Sequence, residues 1–288
     1  MALVNPLDFI GAARQKGVAV AAFNVHNLET IQAVVEAAAA ERAPVMVQTT
    51  PGTLKHAGIP YIAAAVKVAA ELHRIPVALH VDHCTSFATI IQCIQSGYTS
   101  VMIDGSKHPL PENVALVQKV VEVAKAAGVA VEAELGRIGG TEDQLTVDER
   151  EATFTVPEEA RDFAAATGID TLAVAIGTAH GEYKGEPKLD FDRLTAIRDL
   201  VTIPLVLHGA SGVPDESVRE AIRRGICKIN IATELKIPMA KAIQECFARN
   251  PKENDPRNYM GAAKEAVKMV VREKIRLCGA SGLADQLR

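Results

Sequence analysis

Short apolar runs rich in β-branched residues recur along the chain, at residues 18–25, 44–50, 76–83, 98–104, 129–136, 171–177, 204–209 and 225–231. They are near-continuous in apolar character instead of alternating, the pattern of strands covered on both faces, as in a parallel sheet. Helical periodicity fills the gaps. Val114, Val117, Val121 and Ala124 step by three and four, with Lys125 in the last turn and Gly128 as a stop. Phe191, Leu194 and Ile197 share one side of another helix. Strands and helices in this alternation predict an α/β fold, a closed (β/α)8 or TIM barrel, with a doubly wound open sheet as the alternative. No G-x-G-x-x-G or G-x-x-x-x-G-K-[ST] follows any run, which counts against the open sheet. The longest gap, after the fifth run, carries Gly139 and Gly140 followed by acids, the composition of a mobile active-site loop. Beyond Glu234 the pattern is helical, broken by the polar stretch 249–256. Residues 1–288 are therefore expected to form one barrel domain with a helical C-terminal appendage from about residue 235.

A chain of 288 residues, 48% hydrophobic and 23% charged, can bury a core of that size. The formal net charge of −4 offers no basic excess, so neither nucleic acid nor a membrane surface is an expected partner. An anionic ligand would need a local pocket. The five cysteines, Cys84, Cys93, Cys227, Cys246 and Cys278, are scattered without a C-x-x-C. That argues against a disulfide framework or a cysteine zinc site and for a cytoplasmic protein. No signal-like start and no long uncharged apolar run is found, so neither export nor membrane spanning is expected.

Barrel enzymes carry their chemistry at the C-terminal ends of the strands, so the residue that ends each run is informative. These ends are polar: Asn24, Thr49 and Thr50, Asp82 and His83, Asp104, Glu132 and Glu134, His180 just beyond, His208, and Asn230 with Thr233. Three of the eight histidines, His83, His180 and His208, thus converge on one mouth. Three imidazoles with an open fourth position suit zinc or a similar divalent ion, a Lewis acid for a hydroxyketone carbonyl and the enediolate derived from it. Asp104 and Glu134 stand where a second ion, or another position for the first, would be held. Asp82 can exchange a proton with an aldehyde oxygen, and Glu142 is the candidate base for a carbon-bound proton, with Asp143 behind it. The turn 208–212, HGASG, and the segment 230–233 match the phosphate site that barrels build after strands seven and eight. His80 and Cys84 read as packing residues, and His26, His56, His73 and His108 as loop or surface histidines.

The segments AFNVHNLET, VDHCTS, VMIDGSKHP, EAELGRIGGTED, AVAIGTAHGEYKGEP, VLHGASG, KINIATELK and DPRNYM resemble, in order and over nearly the whole chain, the class II fructose/tagatose-bisphosphate aldolases. The resemblance implies zinc on His83, His180 and His208, a second metal position at Asp104 and Glu134, proton transfer by Asp82 and a mobile-loop acid at Glu142. It implies dihydroxyacetone phosphate held by Gly181, Gly209, Ala210, Ser211, Asn230, Ile231, Ala232 and Thr233, with Thr50 nearby, Asn230 also serving catalysis, and Na+ or K+ beside the phosphate. Arg257 resembles the arginine that reaches the far phosphate, from the same chain or from a neighbour in a homo-oligomer, a dimer or tetramer. HNLETIQ and KINIATELK, with alanine at 232, look more like the tagatose-bisphosphate members, and Lys107 departs from the His-rich version of its loop. The expected reaction is reversible cleavage of tagatose 1,6-bisphosphate to dihydroxyacetone phosphate and glyceraldehyde 3-phosphate, with fructose 1,6-bisphosphate as the alternative substrate. Three rivals stand beside it: a Schiff-base aldolase using Lys228, a barrel metal hydrolase, and a non-catalytic sugar-phosphate binding subunit. The hydrolase wants His-x-His on strand one, where this chain has Phe23-Asn-Val-His26.

Overall fold

The computed structural model describes residues 3–142, 145–148, 152–183 and 185–287, the side chains of Glu142 and residues 145–147 excepted. Its strands are β1 (Val20–Asn24), β2 (Val45–Thr49), β3 (Val77–Cys84), β4 (Ser100–Ile103), β5 (Ala130–Leu135), β6 (Gly139–Glu142), β7 (Leu145–Val147), β8 (Thr171–Val174), β9 (Ala179–His180), β10 (Leu205–Leu207) and β11 (Ile226–Ile231). Eight of them close a parallel barrel in the order β1-β11-β10-β8-β5-β4-β3-β2. β1 pairs with both β2 and β11, which excludes the open sheet. Each of the eight apolar runs matches one barrel strand, β3 running one residue past its run to Cys84.

A second sheet, β7-β6-β9, takes in Gly139 and Gly140, which the sequence pattern placed in a mobile loop. β6 runs parallel to β9, with Gly139 opposite Ala179 and Gly140 opposite His180. Two glycines in four residues carry no strand propensity, so this pairing left no pattern to read. Gly140 has φ of 95°, and a Cβ there would clash with the carbonyl oxygen of His180, so only glycine lets the strands approach.

Side chains on a strand alternate between its two faces, so residues two apart share the barrel lumen. The lumen is graded along its axis. At its N-terminal end Val20, Ala22, Met46 and Ala78 meet Phe9, Ile10 and Ala13 of the helix Leu7–Lys16, which plugs that end. Full burial of Phe9 and Ile10 contributes about 1.5–3 kcal/mol each, and Arg14 of the same helix donates to the carbonyl of Thr202. Two residues further along β3, His80 follows Ala78 and Asp82 follows His80; on β5, Glu132 and Glu134 follow Ala130, and all of these polar groups are buried. The outward faces, such as Phe23, Val47, Leu79 and Val131, belong to the larger apolar layer under the helices. Among these helices are the two predicted: Leu110–Ala126, which buries Val117, Val121 and Ala124, and Phe191–Leu200, which buries Leu194 and Ile197.

Past the barrel the helix Thr233–Arg249 leaves the mouth with only Leu235 buried. The helix Pro256–Leu277 returns, burying Ala263, Val267, Val271 and Ile275 beside the helix Leu28–Ala40. Glu41 accepts hydrogen bonds of 2.8 to 3.1 Å from Arg272, Arg276 and Ser281 and ties this helix down. No described helix is long and apolar enough to cross a membrane.

Candidate active site

Neighbours on a regular strand point to opposite faces, yet Asp82 and His83 are both needed at one mouth. The backbone solves this with a left-handed residue: His83 has φ of 47°, at a register shift between Val81 and Cys84 where β3 pairs with β4. Such a conformation costs a non-glycine residue of order 1–3 kcal/mol, and strain of this kind collects at functional sites.

The imidazoles of His83 and His208 stand edge to face with centroids 4.6 Å apart, and His83 and His180 with centroids 4.8 Å apart. Nε2 of His83 lies 2.9 Å from Nδ1 of His208. The other nitrogen of each ring is held by a carboxylate, His83 Nδ1 at 3.0 Å from Asp104 and His208 Nε2 at 3.0 Å from Glu132. With the outer nitrogens given to carboxylates, the facing nitrogens are the ones that can present lone pairs to a cation, which on binding displaces any proton between them. Glu134 Oε2 lies 3.4 Å from His208 Nδ1, buried and without a hydrogen bond. Burial disfavours charge on His208, but the carboxylates of Glu132 and Glu134 outweigh it and raise the imidazole to about 9. Burial likewise opposes ionisation of Asp104, and hydrogen bonds from His83 and Ser106 overcome it, holding the carboxyl well below its usual range. The ligand atoms of His83, His180 and His208 lie within 4.8 Å of one another, as do those of His83, Asp104 and Glu134. Imidazole nitrogens beside carboxylate oxygens are a donor set that fits zinc or a similar divalent ion.

Asp82 is fully buried and faces three amide donors: Asn24 at 3.2 Å and Gln48 at 3.0 Å on Oδ2, and Asn230 at 3.1 Å on Oδ1. Gln48 also donates to Asn24 at 2.7 Å, which locks the amides in place. Oδ1 of Asn230 is buried and has no hydrogen-bond partner among the described residues. Gln48 had escaped sequence reasoning. Its signal was one amide inside the apolar stretch Val45–Thr49.

Beside this cluster lies a cleft lined by Thr141, His180, Gly181, Gly209, Ser211, Asn230, Ala232, Thr233 and Lys236. The helix Thr233–Arg249 begins here without a side-chain cap of its own. Ser211 Oγ accepts at 3.4 Å from the N–H groups of both Ala232 and Glu234, so first-turn donors point into the cleft. Sequence reasoning also missed Lys236, a cation in the first turn of that helix. Tyr183 is a third omission: its hydroxyl accepts from Ala179 N–H at 2.8 Å and donates to Gly209 O at 2.7 Å, fixing the two glycine turns together.

Six of the eight residues expected around a phosphate line the cleft. Ala210 and Ile231 do not, their side chains being buried in the outer apolar layer. Thr50 caps the helix Pro51–Ala57 by accepting from Thr53 N–H and does not line it either. Glu142 has its backbone in β6, two residues past the Gly140 that pairs with His180, while Asp143 lies outside the described residues. Arg257 is 88% exposed and paired with Asp255. Lys274 touches Glu234 at 2.8 Å, and the seventeen helical positions back to Arg257 span about 25 Å at ~1.5 Å each. Arg257 therefore does not join the cleft of its own chain.

A (β/α)8 barrel with three imidazoles, flanking carboxylates and an anion cleft at the C-terminal mouth is the architecture of a metal-dependent barrel enzyme. The profile of the class II fructose-bisphosphate aldolases matches residues 4–283. A D-tagatose-1,6-bisphosphate aldolase subunit, GatY, of Klebsiella oxytoca is 50% identical over 282 residues, 98% of this chain and 99% of that one. The crystal structure of the YdjI aldolase of Escherichia coli K12 superposes with a TM-score of 0.85 at 33% identity, covering 98% and 99% of the two chains. One assigned to a fructose-1,6-bisphosphate aldolase of Coccidioides immitis gives 0.90 at 30% identity, covering 98% of each. The chain belongs to the class II fructose-bisphosphate aldolase family and is a metal-dependent lyase.

Proposed function

We propose that this enzyme reversibly cleaves tagatose 1,6-bisphosphate to dihydroxyacetone phosphate and glyceraldehyde 3-phosphate, with zinc on His83, His180 and His208. The carrying observation is that His180 and Asn230 each belong to two groups: His180 to the imidazole cluster and the anion cleft, Asn230 to the Asp82 network and the same cleft. Bound zinc would polarise the ketose carbonyl and stabilise the negative charge that develops on it. Asp82 takes the proton from the hydroxyl at the breaking bond and returns it in the condensation direction. Asn230 orients Asp82 and offers Oδ1 to the substrate. The phosphate of dihydroxyacetone phosphate sits on Gly181, Gly209, Ser211, Ala232 and Thr233, which line the cleft together. The family resemblance supports a second metal position at Asp104 and Glu134 and a Na+ or K+ ion beside the phosphate.

Tagatose is favoured over fructose by the relative named above and by Ala232 on the cleft wall. Cleavage assays on both bisphosphates test this: kcat/KM is expected to be at least about tenfold higher for the tagatose epimer, ~1.4 kcal/mol of discrimination. An equal or higher value for fructose 1,6-bisphosphate sinks the assignment. The remote, exposed Arg257 supports a homo-oligomer in which a second copy supplies the arginine for the far phosphate. A cytoplasmic setting fits the five free cysteines.

Glu142, reached through the β6–β9 pairing, acts as the base for the carbon-bound proton. Glu142→Ala is expected to slow solvent exchange of that proton in saturating dihydroxyacetone phosphate by roughly a hundredfold or more, with little change in ligand affinity. Ser211→Ala should do the reverse, weakening affinity about tenfold and leaving exchange at saturation near normal. Normal exchange in Glu142→Ala would hand the base role to another acid, Asp143 first.

A further inference from the structure

Beneath the imidazole cluster the lumen holds an ion pair that the reaction does not use. Lys228 on β11 and Glu132 on β5 reach toward each other with two barrel strands, β10 and β8, between them in the sheet order. Lys228 Nζ lies 2.9 Å from both carboxylate oxygens of Glu132, and the two side chains are 0% and 1% exposed. Glu132 has two further contacts: Thr171 donates to Oε2 at 3.1 Å, and His208 Nε2 meets Oε1 at 3.0 Å. A buried ion pair of this kind is seldom worth its desolvation cost in stability alone, since apolar side chains of like volume often serve as well. Its remaining contact, His208, is a proposed metal ligand.

We propose that Glu132, pinned by Lys228 and Thr171, is a positioning residue that fixes the tautomer and ring orientation of His208, so that Nδ1 faces His83 Nε2 and the metal. Two anchors on one carboxylate leave it a single orientation, with Oε1 aimed at the imidazole N–H. The ring cannot flip without placing a carbon against Oε1 and turning its lone pair away from His83. Lys228 keeps the carboxylate from swinging toward the ion and becoming a ligand itself. The inference rests on the zinc reading above.

Two variants separate positioning from bulk stability. Glu132→Asp keeps the ion pair with Lys228 but is one methylene shorter, so it withdraws from His208. Glu132→Leu combined with Lys228→Met replaces the pair by apolar volume and removes the clamp. Zinc affinity is measured by competition with a chromophoric chelator, the visible spectrum is recorded on the cobalt-substituted protein, and folding is checked by thermal melting. Both variants are expected to melt cooperatively, to bind zinc ten- to a hundredfold more weakly and to show altered cobalt bands. Wild-type affinity and an unchanged cobalt spectrum in the folded double variant would overturn the proposal. If the double variant does not fold, the same result in Glu132→Asp overturns it. The unaltered protein is titrated alongside. Failure of that protein to bind zinc one to one refutes the metal reading itself, whereas tight binding in all three refutes only the clamp.

Discussion

Asp82→Ala is expected to retain its metal while losing cleavage by roughly a hundredfold to ten-thousandfold, the range for removing a positioned acid or base. The carboxylate is not a ligand in this reading, so metal content by atomic emission should stay near stoichiometric. Its loss also strands Asn24, Gln48 and Asn230, whose donors converge on it. Asp82→Asn should be no better, because an amide cannot accept the proton and its own NH2 would face an amide donor. His83→Ala, one residue along, is expected to lose both metal and activity. A fully active Asp82→Ala enzyme would move proton transfer elsewhere, and a His83→Ala protein with full metal would remove His83 from the ligand set.

Chelation is expected to abolish cleavage, with recovery on adding zinc, while borohydride and substrate together leave activity intact and no adduct on Lys228. A Schiff base needs an amine that substrate can reach. Lys228 is instead fully buried below the imidazoles, with Nζ committed to Glu132 at 2.9 Å. A borohydride-trapped adduct found at Lys228 by peptide mass spectrometry would reverse this and restore the metal-free rival.

The architecture was legible because the strands of a closed parallel barrel are apolar on both faces, which writes each as an unbroken run such as 44–50 or 204–209. The polar ends of those runs gave away Asp82, His83, His208 and Asn230, since polar groups closing apolar parallel strands collect at the end where ligands bind. The lumen was harder. Gln48, Glu132 and Lys228 stand inside apolar runs, and a polar residue within a run says nothing of which residue on another strand it will meet.

Local periodicity thus determined the elements and their order, and chemistry at the strand ends determined the class of site. Only the closed barrel decided the partnerships, because His83 with His208 and Lys228 with Glu132 stand 125 and 96 residues apart in sequence. The left-handed turn at His83 and the parallel pairing of Gly140 with His180 were likewise tertiary decisions. Neither follows from the preferences of the residues involved: positive φ is uncommon for any residue but glycine, and glycine does not favour strands. Contacts made elsewhere hold both in place, and those contacts exist only once the eight strands have closed.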